Sequence, residues 1–174
     1  MTQVLRAGVL DGVSLLVAGV AAADGAAAAQ GRCAALGAQV NSLVVDPLGE
    51  EPSDVDRPGV LVWDGAGACM SGDGMAGVRS ALDGAWLAIR AAVALPEPGP
   101  QKVILLAPPR GGAHAEAARA GLENLARTLS IEWARFGTRI VAVLGGAPDE
   151  VAETVAYLAS PAGDYFSGTA IPLG

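Results

Sequence analysis

Apolar residues occur along the chain in two alternating kinds of run. Short runs rich in Val, Leu and Ile at residues 13–18, 39–45, 60–63, 103–107, 139–144 and 169–172 predict six strands. Longer, alanine-rich stretches between them predict helices over about 24–36, 75–94, 114–136 and 149–159. Strands alternating with helices make a parallel sheet covered by helices, because a parallel partner is reached only through a crossover. Gly37 is placed to stop the first helix. The polar stretch 47–58 has no apolar period and is expected to be a loop, and a glycine-rich turn is expected after residue 63. Prolines at 96, 98 and 100 cannot continue a helix and predict a surface connection.

The helix over 114–136 carries the strongest pattern. Ala118, Leu122, Leu125, Leu129, Trp133 and Phe136 recur at three- and four-residue spacing as one apolar stripe. Glu116, Glu123, Arg127 and Glu132 lie opposite, with Glu123 four residues before Arg127 as a favourable pair. A second face of small residues, Ala117, Ala120, Gly121 and Thr128, is suited to close packing.

The chain has 174 residues, 52% hydrophobic and 17% charged, which fits one folded domain over 1–174. A net charge of −7 and few aromatic residues argue against nucleic acid and anionic membrane surfaces as partners. Cys33, Cys69 and the single His114 form neither a zinc site nor a disulfide framework, so no metal is expected. The cysteines read as small buried hydrophobes in a reducing cytosol, and the expected location is cytoplasmic. Asp24, Gly19 and Gly25 break the apolar run 13–29 into strand, turn and helix, so neither an export signal nor a membrane span is expected.

Four segments, in order, carry a family resemblance: 10–19 leading to a glycine turn, Leu61-Val-Trp-Asp-Gly-Ala-Gly67, the helix and strand of 118–143, and the C-terminal 151–174. Together they resemble the short-chain dehydrogenase/reductase (SDR) family. The resemblance implies an α/β, Rossmann-like, doubly wound parallel sheet with helices on both faces. It also implies shortening. There is no room for a strand–helix unit between Asp46 and Val60, and a substrate lobe is missing after Leu144-Gly-Gly146.

The family's cofactor turn, Gly-x-x-x-Gly-x-Gly, stands here as Gly19-x-x-x-Ala23-Asp24-Gly25. Ala23 adds a methyl group where pyrophosphate contact is tightest. Asp24 is expected to cap the helix and compete with a phosphate for the same donors. Asp46 corresponds to the ribose-binding acid, although Asp before Pro is also ordinary turn chemistry. Asp64 and Gly65 replace the two asparagines of the family's Asn-Asn-Ala-Gly motif.

The family's catalytic positions correspond to Asp83 for asparagine, Pro108 for serine, Ala115 for tyrosine and Arg119 for lysine. Lys102 is the only lysine, and four residues beyond Tyr157 and Tyr165 stand Pro161 and Thr169, so no Tyr-x-x-x-Lys exists. Arg119 is too large and forked to replace a lysine ammonium. No catalytic residue and no cofactor are therefore expected, NAD(P) being the one implied if any binds.

The resemblance then implies a non-catalytic subunit. It would assemble with itself or with an active SDR paralogue through the helices around 75–94 and 114–136 and the C-terminal segment 160–174. Those helices read equally well as plain core. Two further readings stand beside it: an NAD(P)-dependent oxidoreductase with an atypical site at His114, Arg119 and Asp83, and a small nucleotide- or acyl-binding module without chemistry.

Overall fold

Six of the apolar runs form parallel strands in a computed structural model that describes residues 5–20, 23–47, 58–93, 99–111 and 114–174. The elements are β1 (Ser14–Gly19), α1 (Asp24–Ala35), β2 (Gln39–Val44), β3 (Val60–Asp64), α2 (Gly65–Met70), α3 (Met75–Val93), β4 (Lys102–Ala107), α4 (Ala115–Glu132), β5 (Arg139–Leu144), α5 (Pro148–Ala159) and β6 (Thr169–Pro172). The strand order is β2-β1-β3-β4-β5-β6 with every pair parallel. This is the Rossmann-like doubly wound sheet the resemblance implies, shortened, with β2 at an edge among the described residues.

Two apolar cores lie on the two faces of the sheet. One packs Leu16, Leu61, Trp63, Leu105 and Ile140 against α2, α3 and α4. The other packs Leu15, Val62, Ile104 and Val141 against Ala29 and Cys33 of α1 and Val155 of α5. β3, β4 and nearly all of β5 are buried throughout, as strands covered on both faces must be. Gly84 allows the closest approach of helix to sheet. A Cβ there would stand 2.5 Å from the Trp63 ring. The same tryptophan donates its Nε1–H to the Ala81 carbonyl at 2.9 Å.

Three expectations are corrected. The glycine-rich turn after residue 63 is instead the short helix α2, its Gly67 N–H capped by the Asp64 side chain. The expected helix over 114–136 ends at Glu132. Residues 134–136 tighten into a 3-10 turn, and Gly137, at φ +74°, swings the chain toward β5. The change of period takes Phe136 out of the apolar stripe. It is 48% exposed, with the Arg135 guanidinium 4.6 Å from its ring centre. Ala118, Leu122 and Leu129 are buried as expected, and Leu125 and Trp133 partly so. The loop expected over 47–58 and the connection over 96–100 lie largely outside the described residues.

Lys102 opens β4 at the edge of the sheet opposite the strand C-termini. It is buried, donating to the Ala159 carbonyl at 3.2 Å and the Ser160 carbonyl at 2.5 Å, and its Nζ lies 2.7 Å from Asp164. The only lysine is thus a clamp that ties the end of α5 to the sheet, and a cation suits the carbonyl end of a helix. The hydrogen bond from Lys102 holds the half-exposed Asp164 carboxyl below its ordinary range. A depressed acid stabilises the fold above its unfolded pKa and loses that contribution as pH falls through the folded value. Asp164→Asn is therefore expected to be less stable than wild type at neutral pH. The gap should close as the medium is acidified below the ordinary carboxylate range, as read from urea midpoints against pH.

Among the described residues, no helix is long and apolar enough to cross a membrane.

Candidate functional site

β1 pairs with both β2 and β3, so the chain reverses its direction of winding at the C-terminal end of β1. A crevice opens at such a reversal because the helices leave toward opposite faces. Two clefts lie there. The larger, about 230 Å³, runs between the start of α1, the ends of β3, β4 and β5, and the start of α5. The smaller, about 160 Å³, lies over the ends of β1 and β2 and reaches Gln30 of α1. Asp64 and Ala26 line both.

Asp64 is the structural centre of this region. It is 1% exposed, and its two carboxylate oxygens are both engaged. Oδ2 accepts the Ala23 N–H at 2.7 Å, and Oδ1 accepts the Gly67 N–H at 2.9 Å. Burial pushes its carboxyl above the ordinary range, and the two backbone N–H bonds pull it part of the way back. Gly19 permits the arrangement, since a Cβ there would stand 3.1 Å from that of Asp64.

Asp24 requires a correction. The N-cap of α1 is Ala23, in extended conformation, and no side chain caps it; Asp24 is exposed in the first turn. A residue already at the first helical position has turned its side chain away from the free N–H groups. The internal carboxylate at the turn therefore comes from Asp64, forty-one residues on.

Two further helices starting at this edge, α5 and α4, also carry carboxylates. Glu150 accepts the Ala147 N–H at 3.0 Å ahead of α5, whose first turn also holds Asp149. Glu116 stands in the first turn of α4, within 3.5 Å of Arg110 and 3.6 Å of Arg119. Helix N-termini each present roughly half a positive charge, so one carboxylate per terminus more than offsets it.

The larger cleft brings Ala23, Asp24, Gly25 and Asp64 together, and Gly19 borders the smaller one. Asp46 lines neither; it lies exposed beyond the end of β2. Met70, Leu106, Pro109, Val143, Gly145 and Val151 also line the larger cleft. Sequence reasoning did not single these out as ligand-facing, because apolar residues at strand and helix ends carry no signal separating cleft from core.

The four positions matched to the family's catalytic set lie outside the cleft lining. Arg119 is 4% exposed and donates from Nη1 to the Pro108 carbonyl at 2.8 Å, so its guanidinium braces the end of β4. Ala115 is buried at the start of α4, and Pro108 is buried where the Arg119 bond holds it. Asp83 pairs on the surface of α3 with Arg79 at 3.3 Å. His114 is exposed in left-handed conformation at φ +61° and makes no side-chain cap bond. Tyr157 packs edge-on against Phe166, while Tyr165 is 93% exposed. Both cysteines are free and buried, and burial pushes the Cys33 thiol up to about 11, away from thiolate chemistry. Among the described residues, no His, Cys, Asp or Glu cluster could hold a metal ion.

No family model matches the sequence, and no curated protein matches it. Solved structures do match. The citronellol catabolism dehydrogenase AtuB of Pseudomonas aeruginosa PAO1 has a TM-score of 0.74 at 21% identity, covering 99% of this chain and 98% of that one. A short chain dehydrogenase from Mycobacterium smegmatis gives 0.72 at 22%, covering 95% and 93%. A structure of BdcA in complex with NADPH gives 0.68 at 18%, covering 95% and 94%. The chain therefore has the fold of the short-chain dehydrogenases/reductases, in shortened form.

Proposed function

We propose that the chain is a non-catalytic SDR-like subunit, assembling with itself or with an active member of that fold. The observation that carries this reading is the Asp64 carboxylate, buried at the glycine turn and bonded to the Ala23 and Gly67 N–H groups. The residues of the turn do not fit a pyrophosphate. An anion entering there meets a fixed carboxylate, the Ala23 methyl group and Asp24, and among the described residues no cation lines the cleft. Coulomb repulsion between such groups at a few ångströms is worth about 4 kcal/mol at an effective dielectric of 20. The ammonium and phenols that a Tyr-x-x-x-Lys proton transfer would need lie elsewhere: Lys102 at the opposite edge of the sheet, Tyr157 and Tyr165 on α5 and beyond it. Assembly is supported by the outer surface of α3 and α4. There Trp86, 41% exposed, stacks on Trp133 with ring centres 6.4 Å apart, and Ile131 is 79% exposed. Exposed tryptophans and aliphatics of this kind favour burial against a partner.

A second reading, retained dinucleotide binding, is favoured by the NADPH complex of the similar BdcA structure. Fluorescence titration with NADH and NADPH separates the two. No saturation is expected up to about 1 mM, whereas micromolar binding overturns the non-catalytic reading. Solution mass tests the assembly. A dimer or larger species is expected, alone or with a co-expressed full-length SDR, and a monomer under both conditions overturns it.

A further inference from the structure

We infer that the larger cleft takes a small organic ammonium, an apolar body of one ring or a short branched chain bearing a single positive charge. The inference rests on the reading above, that no dinucleotide phosphate enters this region.

Size sets the first limit. At about 230 Å³ the cleft falls below the range of roughly 300–1,000 Å³ typical of drug-sized ligands, so only a small occupant fits. The walls set the second. Ala26, Met70, Leu106, Val143 and Val151 present carbon, and Met70 stands 64% exposed at the cleft with an adaptable thioether able to fold over a ligand.

Charge selects the class. Among the described residues, the only ionisable ones lining the cleft are Asp24 and Asp64. The nearby guanidiniums face other partners, Arg110 toward Glu116, and Arg119 toward Glu116 and the Pro108 carbonyl. Asp149 and Glu150, in the first turn of α5, add negative charge beside Pro148 of the lining. A carboxylate or phosphate ligand would meet this field with the Arg119 guanidinium behind Gly145 as its nearby counter-charge, buried and already engaged by the Pro108 carbonyl and Glu116. A neutral apolar ligand would displace water from the exposed Asp24 carboxylate and offer its charge nothing in return. An ammonium meets both needs. Asp64, 1% exposed with both oxygens bonded to backbone N–H groups, acts through its charge. Asp24, exposed and without a cap bond, supplies the acceptor at the cleft.

The test uses the full chain and three probes of similar shape: phenethylamine as cation, phenethyl alcohol as neutral analogue and hydrocinnamate as anion. Calorimetric or NMR titration at neutral pH is expected to give saturable binding of the amine with Kd below about 1 mM. The alcohol is expected to bind at least tenfold more weakly, and hydrocinnamate not to saturate. Asp24→Asn should weaken the amine several-fold without affecting the fold, and Ala66→Phe, which fills the cleft, should abolish binding. Asp64→Asn should also weaken it; should that variant not fold, Asp24→Asn and Ala66→Phe carry the test. Equal affinity for the three probes, preference for the anion, absence of saturable amine binding, or amine binding unchanged in Asp24→Asn and Ala66→Phe overturns the inference. Failure of the amine with no NADPH binding leaves the subunit reading standing, whereas micromolar NADPH binding removes both.

Discussion

Alanine at Lys102 is expected to lower stability by about 1–3 kcal/mol, the cost of a buried acceptor left unmade. The Lys102 ammonium donates to the Ala159 and Ser160 carbonyls and faces Asp164; its removal strands the Ala159 carbonyl, while the Ser160 carbonyl keeps the Gly163 N–H at 2.9 Å. Asp164 is half-exposed and recovers its hydration, which keeps the cost below that of breaking a fully buried ion pair. For a domain of this size the loss corresponds to about 2–4 °C in Tm per kcal/mol. Lys102→Met retains the apolar stem while removing the charge, and urea denaturation should find it nearly as destabilised. If Met restores most of the stability, the stem packs and the clamp is incidental. The same experiment bears on function. Both variants should leave any binding in the cleft unchanged, since Lys102 stands at the opposite edge of the sheet.

The second large effect is expected at Asp64. Alanine there leaves the Ala23 and Gly67 N–H groups without their acceptor. Bonds to a charged group are worth about 1.5–3 kcal/mol each, and relief of a buried charge offsets part of that, leaving a net loss of roughly 2–3 kcal/mol. Asparagine retains one acceptor oxygen and should lose less. The pH dependence separates this carboxylate from Asp164, because its shift has the opposite sign. Asp64 is raised in the folded protein, so its protonated form contributes stability that is full below the unfolded pKa and declines as pH rises through the folded value. The advantage of wild type over Asp64→Asn should therefore narrow as pH rises out of the acid range. For Asp164→Asn the corresponding gap widens over the same direction. Urea midpoints for the three proteins at matched pH values test both signs, and parallel curves would contradict the burial of Asp64.

Much of the fold was legible in the sequence. β3, β4 and β5 are continuous apolar runs bounded by turns, and such runs have few folds open to them when helices alternate between them. The buried stripe Ala118, Leu122 and Leu129 followed directly from helical period. Errors arose where local signals compete. Gly65 and Gly67 suggest a turn, yet they form the start of α2, because the Asp64 side chain satisfies the Gly67 N–H and Gly65 sits where a Cβ would press within 2.7 Å of the Leu106 carbonyl. Phe136 continues the spacing of the stripe on paper, but a 3-10 turn has another period and sends it outward.

The candidate site was legible only in part. Gly19, Ala23, Gly25 and Asp64 stand out as departures from a family pattern, and the structure gathers them at one end of β1 and β3. Along the chain Asp24 is the carboxylate nearest the turn, which is why the sequence points to it. The carboxylate that reaches the turn belongs to a strand adjacent in space. Met70, Val143 and Val151 gave no sign of facing a cleft, since a cleft wall and a core wall use the same side chains.

By itself the sequence determined the alternation of strands and helices, the parallel sheet, and the absence of any Tyr-x-x-x-Lys pair, since each depends only on composition and spacing along the chain. Tertiary structure alone decided what the unusual charged residues do. It made Lys102 a clamp on α5, Arg119 a brace on Pro108, and Asp64 the internal partner of the glycine turn. A charge acts through whatever lies within a few ångströms, and those neighbours are brought together only when β1, β3 and β4 line up side by side.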